Sequence, residues 1–251
     1  MHSDVTVKVA LVTGAAQGIG RACVDAFVAD GWKVIAVDVA EDGLGLLGKD
    51  HGSAVATLLG DVAEQPTSRR AVEEALHRYG RLDCAVANAG VNLPKLIDDT
   101  TDDEFDRLID VNVRGPTYLA QAAHRHLADS GGSLIIVASK TGLVAQRNSP
   151  IYVATKGAAI QLARALALDW ADEGIRVNAV CPGIVDTPML RSFIEALPDP
   201  EAAWREHEEA QPLGRLARPE ECAAAVLFLA SEGASFITGI ALPVDGGFTA
   251  E

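Results

Sequence analysis

Val9-Ala10-Leu11-Val12-Thr13-Gly14-Ala15-Ala16-Gln17-Gly18-Ile19-Gly20 carries an apolar run straight into a glycine-punctuated turn. The run from Val9 to Val12 lacks polar alternation, as expected of a strand buried on both faces. Helical spacing takes over from about Gly18 to Asp30. Gly14, Gly18 and Gly20 therefore fall where a strand becomes a helix. Glycine lets the backbone turn tightly and approach a pyrophosphate, while a helix N-terminus offers free N–H groups and partial positive charge. Gly14, Gln17, Gly18, Ile19 and Gly20 are the candidate contacts of a dinucleotide.

Working outward, short β-branched runs alternate with longer helical stretches, the pattern of repeated βαβ units. Strands are expected at Val9–Val12, Val34–Val37, Val55–Leu59, Ala85–Ala87, Leu134–Val137, Val177–Val180 and Ile240–Val244. Helices are expected at about Gly18–Asp30, Glu64–Tyr79, Asp102–Asp129, Ser149–Asp172 and Pro219–Ser231. The fold class is α/β, with one doubly wound, parallel, seven-stranded sheet. At 251 residues the chain suits a single unit, residues 1–251. One long connection, Pro182 to Pro219, has no clear strand, and connections of that length are usually functional.

The formal charge is −14, which argues against nucleic acid as a partner. Hydrophobic residues make up 49% and charged residues 22%, which excludes general disorder. Cys23, Cys84, Cys181 and Cys222 show no C-x-x-C pair and no zinc spacing, so they read as core residues in a reducing compartment. Met1–Lys8 lacks the pattern of a signal peptide, and no apolar run reaches the roughly 18 residues that span a bilayer. The expectation is a cytoplasmic protein with no membrane and no metal partner.

Asp38 ends the second strand eighteen residues after Gly20, where a carboxylate can accept hydrogen bonds from the adenosine ribose and repel a 2′-phosphate. NAD is thus favoured over NADP. Tyr152 and Lys156 stand at i, i+4, on one face of a helix. An ammonium beside the phenol should lower its pKa toward the working range of a general acid or base. Ser139, thirteen positions before Tyr152, follows the fifth strand at the carboxyl edge and offers a hydroxyl to a substrate carbonyl. The helix that opens with the capping box Thr101–Glu104 has an apolar stripe of Phe105, Leu108 and Ile109 that is interrupted by Asn112. Pro116 cannot donate to the Asn112 carbonyl, which then needs another donor such as water. The alternative is an Asn satisfied by neighbouring strands.

With these residues in view, the chain resembles the short-chain dehydrogenase/reductase family, in its compact single-domain Tyr-x-x-x-Lys branch. The resemblance runs from Lys8 to the last residues through Thr13-Gly14-x-x-x-Gly18-x-Gly20, Asp61-Val62, Asn88-Ala89-Gly90, Asn112, Ser139, Tyr152/Lys156, Pro182-Gly183 and Asp245-Gly246-Gly247. It implies a Rossmann-like sheet in the order 3-2-1-4-5-6-7. It also implies adenine contacts at Asp61 and Val62, a cofactor path along Asn88, Ala89 and Gly90, and a shelf from Pro182 and Gly183 to Val185 and Thr187 over the nicotinamide. Ala87 stands where many relatives carry a second Asn. The implied reaction is reversible hydride transfer between a secondary alcohol and NAD, with Tyr152 moving the proton, Ser139 holding the oxygen, Lys156 binding the ribose and an Asn112-held water relaying the proton. A homotetramer is implied as well.

Two rivals stand beside this reading. A non-catalytic NAD(H) sensor would need only the glycine turn and Asp38. A 3-oxoacyl carrier-protein reductase usually prefers NADPH and docks an acidic carrier, against which Asp38 and the net charge weigh. Met189, Leu190, Phe193, Ile194 and Leu197 recur at helical spacing and suggest an amphipathic substrate lid at residues 186–213. Opposite it, Gln146, Arg147, Asn148 and Ser149 suggest a polar wall suited to a sugar, polyol or hydroxy acid, with Gln146 as the candidate substrate contact.

Overall fold

Strand β1 (Val9–Thr13) is buried at every position because it has a parallel partner on each side and helices over both faces. Val9 and Leu11 point into one apolar cluster, and Ala10 and Val12 into the other. The computed structural model describes residues 7–250; most of the Met1–Lys8 segment lies outside them. From β1 the chain runs through α1 (Gly18–Ala29), β2 (Lys33–Asp38), α2 (Glu41–His51), β3 (Val55–Leu59), α3 (Gln65–Tyr79) and β4 (Cys84–Ala87). It continues through α4 (Asp102–Ile109), α5 (Gly115–Ser130), β5 (Ser133–Val137), α6 (Pro150–Asp169) and β6 (Arg176–Pro182). The remaining elements are α7 (Pro188–Glu195), α8 (Pro200–Glu209), α9 (Pro219–Ala230) and β7 (Ala241–Val244).

All seven strands pair in parallel in the order β3-β2-β1-β4-β5-β6-β7, as expected. Residues of α3, α5 and α6 cover one face with Leu11, Ile35, Leu134 and Ile136. Residues of α1, α2 and α9 cover the other with Val12, Val34, Ile135 and Val180. Phe27 of α1 is fully buried there, 5.0 Å from the Trp32 ring centroid. Truncation of so large a buried side chain to Ala costs about 3–5 kcal/mol. Because every strand points the same way, the turns after β1, β2, β4, β5 and β6 all emerge at one edge. The order reverses between β1 and β4, where open α/β sheets take ligands.

Three expectations change. Helix α2 did not show in the sequence because glycines interrupt its period; Gly43 is required, since a Cβ there would lie 2.6 Å from the Ala16 Cβ. The helix expected over Asp102–Asp129 is broken into α4 and α5 by a wide turn at Asp110–Arg114, in which the Gly115 N–H donates to the Asp110 carbonyl. Pro116 supplies no N–H, so the ordinary ladder cannot continue through Asn112. Finally, the long connection Pro182–Pro219 holds two helices, α7 and α8, with Ile194 and Ala203 as their buried residues.

Candidate active site

The turn after β1 is built around glycine. Gly14 has φ +64°, and a Cβ on it would come within 2.8 Å of the Ala89 Cα; one on Gly20 would lie 1.9 Å from the Gly14 carbonyl oxygen. Asn88 locks this turn from β4: its Nδ2 donates to the carbonyls of Thr13 (2.9 Å) and Gly14 (3.0 Å). The Asn88 side chain thus shapes the loop, with Ala89 N–H also donating to Thr13 Oγ1 at 3.2 Å. No side chain caps the N-terminus of α1, and its first turn, Gly18, Ile19 and Gly20 after Gln17, holds no acidic residue. Uncapped helical N–H groups beside a glycine turn fit a pyrophosphate.

Asp38 sits at the end of β2 and joins the same construction. Its Oδ2 accepts from the Ala16 N–H and its Oδ1 from the Ala40 N–H, both at 2.9 Å. Each oxygen keeps a lone pair for a ribose hydroxyl. Asp61 accepts from the Ala63 N–H at 2.9 Å and from Arg107 at 2.8 Å. Burial works to raise its pKa, but these two partners outweigh it and hold the carboxyl below its ordinary range. Val62 is buried against Gly115.

Ser139, two residues beyond β5, lies in extended backbone and is 8% exposed. Its Oγ accepts from the Thr141 N–H (3.1 Å) and from the Thr141 hydroxyl (3.0 Å). A hydroxyl has two acceptor sites and one proton, so Ser139 is left to act as a donor. Thr141 is a hydrogen-bonded neighbour of Ser139 that local sequence does not betray.

Tyr152 and Lys156 do share a face of α6, and the Lys156 Nζ lies 5.7 Å from the Tyr152 ring centroid. The expected lowering of the phenol is not what the protein alone presents. Burial pushes the Tyr152 phenol upward, opposed only by hydrogen bonding with Ser139. The Lys156 ammonium is turned toward the Val137 carbonyl (3.0 Å), and burial lowers its pKa to about 8. Gly90 forms the opposite wall, since a Cβ there would meet both the Lys156 Nζ and the Asn112 Oδ1 at 3.4 Å.

The Asn112 side chain, 2% exposed, is committed to the protein. Its Oδ1 accepts from the Val91 N–H and its Nδ2 donates to the Val91 carbonyl, both at 2.9 Å, and also to the Thr155 hydroxyl at 3.1 Å. Thr155 in turn donates to the Tyr152 carbonyl at 2.7 Å. Asn112 therefore ties the loop after β4 to the helix that bears Tyr152, while the wide turn around it sets its carbonyl apart from ordinary helical pairing.

Pro182 ends β6, and the segment that follows holds Gly183, Val185 and Thr187. Thr187 caps α7, accepting from the Leu190 N–H at 3.3 Å, and its Cγ2 stands 3.3 Å from where a Gly18 Cβ would be. Gln211, a residue sequence reasoning passed over, clamps this segment while 1% exposed. It accepts from the Ile184 N–H (2.9 Å) and donates to the carbonyls of Ile184 (3.2 Å) and Arg215 (2.8 Å). Gln146 is exposed in the loop before α6, three residues ahead of the buried Ser149. All four cysteines are buried free thiols, and among the described residues no group of three His, Cys, Asp or Glu is placed to hold a metal. No helix among them is long and apolar enough to cross a membrane.

Comparison with known proteins follows the same lines. A family model described as enoyl-(acyl carrier protein) reductase matches residues 14–249. The L-fucose dehydrogenase of Oryctolagus cuniculus is 43% identical over 96% of this chain and 84% of its own length. Aldohexose dehydrogenase of Thermoplasma acidophilum superposes with a TM-score of 0.90 at 34% identity, covering 99% of this chain and 96% of that one. The 3-ketoacyl-(acyl-carrier-protein) reductase of Brucella melitensis, solved with NADH, gives a TM-score of 0.89 at 34% identity, covering 96% and 98%. The sheet order, the glycine turn and these matches, which extend over nearly the whole chain, agree that the chain belongs to the short-chain dehydrogenase/reductase family.

Proposed function

We propose that this chain is an NAD-dependent dehydrogenase of small, oxygen-rich secondary alcohols, such as a sugar, polyol or hydroxy acid, with Asn112, Ser139, Tyr152 and Lys156 as its catalytic set. Family membership makes it an oxidoreductase that acts on CH–OH groups with a nicotinamide cofactor. The observation that carries the mechanism is the Ser139 hydroxyl, whose acceptor sites are filled by Thr141 so that its proton is directed toward the Tyr152 phenol oxygen and the reacting oxygen beside it. Ser139 donates to the alcohol or carbonyl oxygen; the Tyr152 phenol takes the hydroxyl proton in oxidation and returns it in reduction. Lys156, turned from Val137 toward the ribose, brings its ammonium to Tyr152 and favours the phenolate. A water on the Asn112 carbonyl passes the proton outward.

When bound, the nicotinamide supplies the two-electron redox step, and the protein supplies position and electrostatics. Gly14, Gln17, Gly18, Ile19 and Gly20 would hold its pyrophosphate and Asp38 the ribose. Asp61 and Val62 would line the adenine side, Asn88, Ala89 and Gly90 the path of the cofactor, and Pro182, Gly183, Val185 and Thr187 the nicotinamide. The Asp38 charge supports NAD over NADP. The α7–α8 hairpin within residues 186–213 acts as a lid, and exposed Gln146 faces the polar end of the substrate. The names of the similar L-fucose and aldohexose dehydrogenases support the substrate class. Exposed Phe228, Phe236 and Leu168 suit a homotetramer, and the free cysteines suit the cytoplasm.

The test is a nicotinamide-reduction screen over L-fucose, aldohexoses, polyols and hydroxy acids with NAD and NADP. Turnover of at least one of them with NAD is expected. The likeness to a 3-ketoacyl-(acyl-carrier-protein) reductase keeps a second reading, which a screen yielding only NADPH-dependent reduction of 3-oxoacyl thioesters would establish instead.

A further inference from the structure

Lys140 follows Ser139 directly and is 6% exposed, an unusual place for an ammonium. Its Nζ stands 3.1 Å from the centroid of the Phe248 ring, which belongs to the turn after β7. Among the described residues no hydrogen-bond acceptor holds Nζ, so the ring face is its direct contact. Such contacts strengthen when the cation is withdrawn from water.

The turn that supplies the ring is itself well tied. Asp245, 6% exposed, accepts from the Gly247 N–H (3.1 Å), the Thr249 N–H (3.0 Å) and the Thr249 hydroxyl (2.6 Å). Burial lowers the Lys140 pKa to about 8, and the Asp245 charge acts against that loss. The ring that contacts the ammonium and the carboxylate whose charge favours it thus belong to one hydrogen-bonded turn.

On its other side, the Lys140–Gly142 turn packs against α6. A Cβ on Gly142 would lie 2.6 Å from the Lys156 carbonyl oxygen. The Lys140 carbonyl accepts from both Leu143 (2.9 Å) and Val144 (3.0 Å), and the Thr141 donors that orient Ser139 lie within the same turn. One side of the turn is set by α6 and the other by Lys140.

We propose that Lys140 is a positioning residue for Ser139, and that its cation–π contact with Phe248 latches the Ser139–Gly142 turn to the Asp245–Thr249 turn. Substrate does not meet Lys140 in this arrangement. The latch acts through Thr141, by holding the two donors that point the Ser139 hydroxyl at the reacting oxygen. The turnover part of this inference rests on the proposed role of Ser139; the latch itself does not.

The experiment compares Lys140→Met, Lys140→Arg, Phe248→Leu and the Lys140→Met/Phe248→Leu double variant of the full chain. Amide hydrogen exchange in a peptide covering residues 138–144 reads the latch, with the β1 peptide as an internal control. Lys140→Met and Phe248→Leu should each speed exchange at Thr141 and Gly142 about tenfold while leaving β1 unchanged. Lys140→Arg should restore slow exchange, since a guanidinium also stacks on an aromatic face. With L-fucose and NAD as probes, kcat should fall about tenfold in each single variant while KM for NAD stays within about twofold. The double variant should be no worse than the singles, because the two residues make one contact. Unchanged exchange in both single variants, multiplied losses of about a hundredfold in the double, or an arginine variant as loose as the methionine one would overturn the latch. Changed exchange with unchanged kcat would overturn the positioning role. Absence of any wild-type turnover in the alcohol screen would count against the proposed function, whereas the exchange data would still decide the latch.

Discussion

Replacing Asn112 with Ala separates two roles that this residue can play. The substitution keeps the main-chain carbonyl and removes the carboxamide, so a role confined to the carbonyl predicts little change. The side chain, however, makes three hydrogen bonds at 2.9, 2.9 and 3.1 Å to Val91 and Thr155. At about 1 kcal/mol net for each bond, their loss destabilises the chain by about 3 kcal/mol. For a chain of this size about 2 °C accompanies each kcal/mol, so the melting temperature should fall by about 6 °C. Val91 follows the Asn88–Gly90 segment, and Thr155 holds the Tyr152 carbonyl, so both the cofactor path and the Tyr152 helix should loosen. Differential scanning calorimetry, with and without NAD, reads the stability; steady-state kinetics reads KM for NAD, which should rise. A melting temperature within about 1 °C of wild type would refute the inference that the carboxamide ties β4 to α6.

Four further outcomes test the site. Tyr152→Phe removes one hydroxyl and should lower turnover by about two orders of magnitude or more while NADH binding, followed by fluorescence, stays nearly intact; normal turnover would remove Tyr152 from the catalytic set. For wild type, kcat/KM with NAD should exceed that with NADP by at least about tenfold, or about 1.4 kcal/mol. Asp38→Ala should narrow this gap and also raise KM for NAD, because the Ala16 N–H loses its acceptor; an unchanged cofactor ratio would count against the assignment. Burial raises the Tyr152 phenol, and oxidation needs that proton gone, so oxidation should climb from about pH 7 to pH 10 while reduction, which uses the protonated phenol, stays nearly level; a flat oxidation profile would contradict the role given to Tyr152. Gln146→Ala should raise KM for the alcohol more than KM for NAD, and equal effects on both would remove Gln146 from the pocket.

Much of the fold is local in origin and is legible in the sequence. Seven apolar runs, each short and nearly free of polar alternation, correspond to the seven parallel strands within a residue or two. Parallel strands need crossovers, and the helical stretches between them supply these. The three glycines of the first turn announce close backbone approach, and the structure shows what approaches: Ala89, Thr187 and the Gly14 carbonyl. The shared face of Tyr152 and Lys156 follows from helical period alone.

What the sequence determined by itself is therefore the set of elements, their alternation and the residues delivered to one sheet edge, because period and turn chemistry act over a few neighbouring residues. Tertiary structure decided the rest. Helix α2 carries glycine at position 43 because Ala16, far back in the chain, leaves no room for a Cβ there. Asn112 spends its carboxamide on Val91 and Thr155, Gln211 clamps Ile184, and Lys140 meets Phe248 across more than a hundred residues of chain. A buried polar group must find a partner, but which partner depends on what the sheet order and the wide turn at Asp110–Arg114 bring within hydrogen-bond distance. That choice is made by packing in three dimensions, and no local pattern encodes it.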